Sequence, residues 1–126
     1  MLRLLMIVSG TFEALFGLSA LIAPDMLVGS LGTDPNAASV FLARILGAAT
    51  LGLGTAALLA RNDLNSKGGL AAAYGLGLYN VLAAGFILWT AVGLGGAALW
   101  STGLVHAVIG ALFVYALAGR AQAAER

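Results

Sequence analysis

Four long apolar stretches alternate with short polar breaks, and each carries one strongly polar residue near mid-span: Glu13, Arg44, Asn80 or His106. The first stretch, Leu2–Ile22, is long enough at about 1.5 Å per residue to cross ~30 Å of hydrocarbon as a helix. The second is predicted over 38–60, with Asp34 as N-cap and Pro35 at the first helical position. It ends at Arg61 and the turn residues Asn62 and Asp63. Ser66 is placed to cap a third helix over 69–92. The glycine-rich turn 93–96 then leads into a fourth, 97–118, closed by Gly119. The first connection, 23–36, is longer, and its segment from Pro24 to Val28 is predicted as a short amphipathic turn at the membrane interface. Short second and third connections force neighbouring helices antiparallel. The predicted fold is therefore all-α: one four-transmembrane-helix, up-down-up-down bundle occupying 1–126.

Composition sharpens this reading. Hydrophobic residues make up 61% of the chain and charged residues 9%, against roughly 25% charged in soluble domains. The first stretch also has the outline of a signal peptide, with Arg3 in front and the small residues Ala20 and Ala23 behind. Glu13 interrupts its apolar region, which favours a helix that is retained. The absence of cysteine excludes disulfides, thiolate metal sites and iron–sulfur ligation, and one histidine cannot build a zinc site, so no metal centre is expected. A net charge of +1 gives no case for nucleic acid. The runs 75–77 and 93–96 are not phosphate loops, because they lack a strand–turn–helix setting and a lysine.

Charge placement predicts orientation. Arg3, Arg61, Lys67, Arg120 and Arg126 fall at the N-terminus, the second connection or the C-terminus, whereas the first and third connections carry only Asp25 and Asp34. The positive-inside rule then sets both termini in the cytoplasm of a multi-pass inner-membrane protein, with Trp89 and Trp100 near the opposite interface. The lipid bilayer is the first partner this implies.

With that topology, Glu13 and His106 each lie about nine residues, or roughly 14 Å, from the outer ends of their helices. Arg44 lies about six residues in, and Asn80 about twelve. Buried polar groups are expensive in lipid and tend to face a bundle interior, so the four are expected to meet in one intramembrane pocket. Small residues flank them and let helices approach closely: Gly10 and Gly17 beside Glu13, Gly103 and Gly110 beside His106, Gly47 and Gly54 along from Arg44, Gly77 beside Asn80. Thr102 and Tyr79 are further pocket candidates. Two readings of the charged pair stay open. Glu13 and Arg44 form a structural ion pair, or Arg44 anchors a polar head group while Glu13 and His106 exchange protons. Asn80 equally serves as an interhelical hydrogen-bond residue. Phe12, Phe16, Phe41, Phe86 and Phe113 read most simply as packing or lipid-facing residues.

The chain resembles the DoxX-like superfamily of small four-helix bacterial membrane proteins. The resembling segments are Gly10 and Gly17 running into Ala23-Pro24-Asp25, the run Ala43-Arg44-Ile45-Leu46-Gly47-Ala48 followed by Leu51-Gly52-Leu53-Gly54, and Leu104-Val105-His106-Ala107. That resemblance implies the fold, Arg44 with Gly47, and an association with redox systems, its founding type being similar to a membrane subunit of a thiosulfate:quinone oxidoreductase. It transfers no catalytic residue. The chain is also similar in length and in its mid-span Glu13 to small multidrug-resistance transporters. It departs from them in carrying Arg44, in reading Thr90-Ala91-Val92-Gly93 after Trp89, and in its one-sided cation distribution. The leading expectation is a polar pocket binding a small amphipathic or quinone-like molecule. A proton-coupled small-molecule exporter and a non-catalytic accessory subunit of a larger membrane complex are the alternatives, and glycine-lined faces suit self-association as well. Whether the protein is an enzyme is left open by the residues.

Overall fold

The structure, a computed structural model, describes residues 1–124; Arg126, counted among the cations above, lies outside the described residues. It is all-helical: α1 (Leu2–Ile22), α2 (Pro24–Ser30), α3 (Ala37–Ala60), α4 (Lys67–Leu94) and α5 (Ala97–Ala124). Four of these, α1, α3, α4 and α5, are long and apolar enough to cross a membrane. They run alternately up and down. One end of the bundle carries α2 and the α4–α5 turn; the other carries the N-terminus, the α3–α4 connection and the end of α5.

Local chemistry sets the helix ends. The N-cap of α3 is Asn36, not Asp34: its side chain accepts from the Ala38 and Ser39 amides, at 3.0 Å each, while the Ser39 hydroxyl accepts from the Asn36 amide at 2.9 Å. That reciprocal box satisfies donors that Asp34, two residues earlier, cannot reach, and it leaves Pro35 outside the helix. Asn36→Ala is expected to lower thermal stability by about 1 kcal/mol, readable as a shift in the unfolding midpoint, with Asp34→Ala near neutral. Ser66 caps α4 by accepting from the Gly69 amide at 2.9 Å. Gly95 and Gly96 both take positive φ, which only glycine adopts cheaply, and so turn α4 sharply into α5. Gly119 does not stop α5. It has no positive φ, and the helix continues to Ala124. At that end Arg120 donates to the Leu64 carbonyl (3.1 Å) and the Asn65 side chain (2.8 Å), tying α5 to the α3–α4 connection. The segment read as an amphipathic turn is α2, a helix of 7 residues with Pro24 at its start; Pro24 and Val28 are buried, Asp25 and Met26 exposed.

The bundle is two tight helix pairs, α1 with α3 and α4 with α5, joined along a seam. On α3 the buried residues are Ala43, Gly47, Thr50, Gly54 and Ala57, a narrow stripe that repeats every three or four positions. Gly10 and Gly17 of α1 meet that stripe nearly backbone to backbone. In the other pair, Gly103 receives Leu88, Gly110 receives Val81, and Gly77 receives the Phe113 ring. The seam itself has two halves. Toward the termini it is filled by apolar side chains, among them Met6, Leu76 and Phe113, all fully buried. Above that plug the seam becomes polar.

Candidate functional site

Just above the plug, α1, α4 and α5 each contribute a buried polar side chain to the seam: Ser9 and Glu13 from α1, Asn80 from α4, His106 from α5. Asn80 is the hub. Its amide nitrogen donates to the Leu76 carbonyl (2.9 Å) and to the Ser9 hydroxyl (3.1 Å), while its oxygen lies 2.9 Å from Nδ1 of His106. The reverse amide orientation would set oxygen against the Leu76 carbonyl, two acceptors face to face, so the network itself assigns the amide. It follows that Nδ1 of His106 carries hydrogen and donates to Asn80. In the neutral ring, Nε2 is then the basic atom.

Glu13 stands on the other side of the imidazole. Its Oε1 lies 3.8 Å from Nδ1 of His106. The side chain has 0% exposure, and neither carboxyl oxygen takes part in a hydrogen bond. The Tyr79 hydroxyl adjoins the carboxyl group as its nearest donor, though not aligned for a hydrogen bond. Phe12 and Tyr79 meet the imidazole edge-on, with ring centroids 5.8 and 5.7 Å away. The rings hold His106 from two sides and wall the dyad off from lipid. A lone buried charge at this depth is costly, so the pair is neutral as a whole: carboxylic acid with imidazole, or carboxylate with imidazolium. These two forms differ by one proton transfer. Because Nδ1 already carries hydrogen, a proton added to the ring enters at Nε2 and not across the 3.8 Å between Oε1 and Nδ1. The arrangement can therefore hold a proton at either residue and offer a carboxyl oxygen to a donor.

Of the expected pocket residues, the structure brings together Glu13, Asn80 and His106 and sets Tyr79 against them. It does not bring Arg44. That side chain is exposed on the flank of α3, and it forms no ion pair with Glu13 among the described residues. The reason is helix rotation. Ala43 and Gly47 occupy the face against α1, and Arg44 is turned about 100° away from Ala43, toward lipid. Its Cα lies about 10 Å along the helix from Ala37, within reach of the interface for a side chain that snorkels. Thr102 is half-buried and lines a cavity one turn from His106. Ser9 went unread in the sequence. The available signal is its position one turn before Glu13, on the same helix face.

That cavity, about 300 Å³, opens in the seam on the α2 side of the dyad. Phe16, Thr102 and Ile87 form its inner end, with Phe16 and Thr102 each one helical turn from the dyad residue on its helix. Its lining is apolar apart from the hydroxyls of Ser30, Thr90 and Thr102, and no cation contributes. The seam is thus hollow on one side of the dyad and plugged on the other. No group of residues among those described could hold a metal ion.

No family model matches this chain, and no curated protein or solved structure matches it either. The functional reading therefore rests on the geometry.

Proposed function

We propose that this protein is a multi-pass inner-membrane protein, both termini cytoplasmic, whose Glu13–His106 dyad exchanges a proton with the polar head of a small quinone-like amphiphile. The observation that carries this reading is the Glu13 carboxyl group: buried, without a hydrogen bond, and 3.8 Å from an imidazole already held by Asn80. A buried polar group with no partner calls for an explanation beyond packing, and a ligand hydroxyl would supply the missing donor. Nε2 of His106 would serve as acceptor or base. Orientation follows from the cations at the termini and the α3–α4 connection. It puts the cavity in the outer half of the bundle. The redox association implied by the DoxX-like resemblance agrees with a quinone-like ligand, and such a subunit would work beside a redox partner.

The exporter reading is less well supported. It needs a path past the dyad to the cytoplasmic side, where Met6, Leu76 and Phe113 fill the seam. The accessory-subunit reading leaned on a structural pair between Glu13 and Arg44, which does not form.

The test is a titration of the nanodisc-reconstituted protein with a decyl-chain benzoquinone and its quinol, read by quenching of Trp89 and Trp100 at the cavity end. Wild type should show saturable quenching above bilayer partitioning. Glu13→Gln and His106→Ala should each weaken it by about tenfold or more, the worth of one charge-assisted hydrogen bond. Unchanged binding in both variants would overturn the proposal.

A further inference from the structure

The cavity above the dyad has a mouth whose position says where its occupant comes from. Leu46 of α3 and Phe86 of α4 line it and are 42% and 67% exposed. Leu46 lies about 14 Å along α3 from Ala37, and Phe86 about 12 Å from the end of α4. In helices that cross a bilayer, the part of such a side chain exposed on the outside of the bundle at that depth faces hydrocarbon. The end of α2 borders the same cavity on the side of the water-exposed connection, through Ser30 and Leu31, both exposed. Water therefore meets α2, and lipid meets the gap between α3 and α4.

The lining also selects chemistry. The Ser30 hydroxyl donates to the Leu27 carbonyl (2.7 Å), and the Thr90 hydroxyl donates to the Phe86 carbonyl (2.8 Å). Both protons are committed to their own helices, which leaves two oxygens able only to accept. With no cation in the lining, a phosphate head finds no counterion here. A neutral head that donates hydrogen, a phenol or quinol, finds acceptors in the lining at Ser30 and Thr90.

We propose that the gap between Leu46 and Phe86 is a lateral portal, bordered by the C-terminal end of α2, through which a neutral hydroxyl-bearing amphiphile enters from the bilayer. Its head advances toward Thr102 and the dyad while its tail stays in lipid between α3 and α4. A volume near the lower limit of ordinary ligand pockets suits a single ring rather than a whole lipid. This inference rests on the ligand site proposed above and adds its route and ligand class.

Because the chain has no cysteine, access can be read with single thiols in nanodiscs, without any ligand. Thr102→Cys would report the cavity, Val108→Cys the lipid-facing surface and Asp34→Cys the water-exposed connection. Each is treated with a long-chain alkyl maleimide dissolved in the bilayer and with a sulfonated, membrane-impermeant thiosulfonate. With the lipid-phase rate normalised to Val108→Cys and the aqueous rate to Asp34→Cys, Thr102→Cys should react at least about tenfold faster with the lipid-phase reagent than with the impermeant one, since thiol reactivity follows access. Adding Phe86→Ala, a change at an exposed side chain, should speed that reaction and leave the aqueous one alone. Faster labelling by the impermeant reagent would mean an aqueous vestibule; no labelling by either would mean a sealed void. Either result overturns the portal. The benzoquinone titration would still stand or fall on its own, because labelling requires no ligand.

Discussion

Replacing Glu13 with leucine is expected to raise thermal stability while abolishing ligand binding. The carboxyl group is fully buried, accepts and donates no hydrogen bond, and has His106 at 3.8 Å as its one ionisable counterpart in salt-bridge range. Removing a buried polar group with no hydrogen-bond partner returns about 1–3 kcal/mol. Leucine has similar bulk and sits against Phe12 and Tyr79 without a polar atom to satisfy. If the pair were instead a structural ion pair, deleting one partner would strand the other charge and destabilise by about 3–5 kcal/mol. The two accounts differ in sign, so a thermal melt in nanodiscs separates them. His106→Ala makes the contrast. It removes the donor to Asn80 and leaves that oxygen buried without a partner, so it should lower stability by about 1–3 kcal/mol and also weaken binding by about tenfold or more. A residue that weakens the fold it sits in, yet is needed for a measurable activity, is the mark of a functional group.

What the sequence makes legible is decided by range. Helix existence and order follow from apolar runs and the breaks between them, which are local, and the predicted 2–22, 38–60, 69–92 and 97–118 fall on α1, α3, α4 and α5. Ends are less legible because several chemistries compete there. Asn36 outcompetes Asp34 as a cap since Ser39 can reciprocate, and Gly119 ends nothing because it takes no left-handed conformation. Rotation about each helix axis is the hardest part. Depth alone puts Glu13, Arg44, Asn80 and His106 in a common layer, but which of them meet depends on which face each helix buries. On α3 the small residues Ala43, Gly47, Thr50 and Gly54 take the inner face, and the neighbouring Arg44 is thereby turned outward. The hub role of Asn80 is likewise not a local property. It arises because Ser9 stands one turn below Glu13 and offers an acceptor across the seam.

The second large effect is expected where α1 and α3 touch. A Cβ on Gly17 would stand 2.5 Å from the Leu51 nitrogen and 2.6 Å from the Gly47 oxygen, and one on Gly54 would stand 2.5 Å from the Gly10 oxygen and 2.6 Å from the Ala14 nitrogen. These neighbours are backbone, so no rotamer change relieves the clash, and the helices must separate. Gly17→Ala and Gly54→Ala should each destabilise by about 1–3 kcal/mol, read as a lowered unfolding midpoint. The double variant should fall short of the sum, because once the helices part for one methyl group they have parted for the other. Gly52→Ala on the same helix meets nothing within 4 Å and should stay within about 0.5 kcal/mol of wild type. The consequence for function follows from α1 being shared. Gly17 lies one turn beyond Glu13 on the same helix, so moving α1 relative to α3 also moves the carboxyl group relative to His106. Benzoquinone binding should therefore weaken in Gly17→Ala even at temperatures where the protein remains folded. Full binding in a destabilised Gly17→Ala would mean that α1 can shift without disturbing the dyad, and that the glycine contacts serve stability alone.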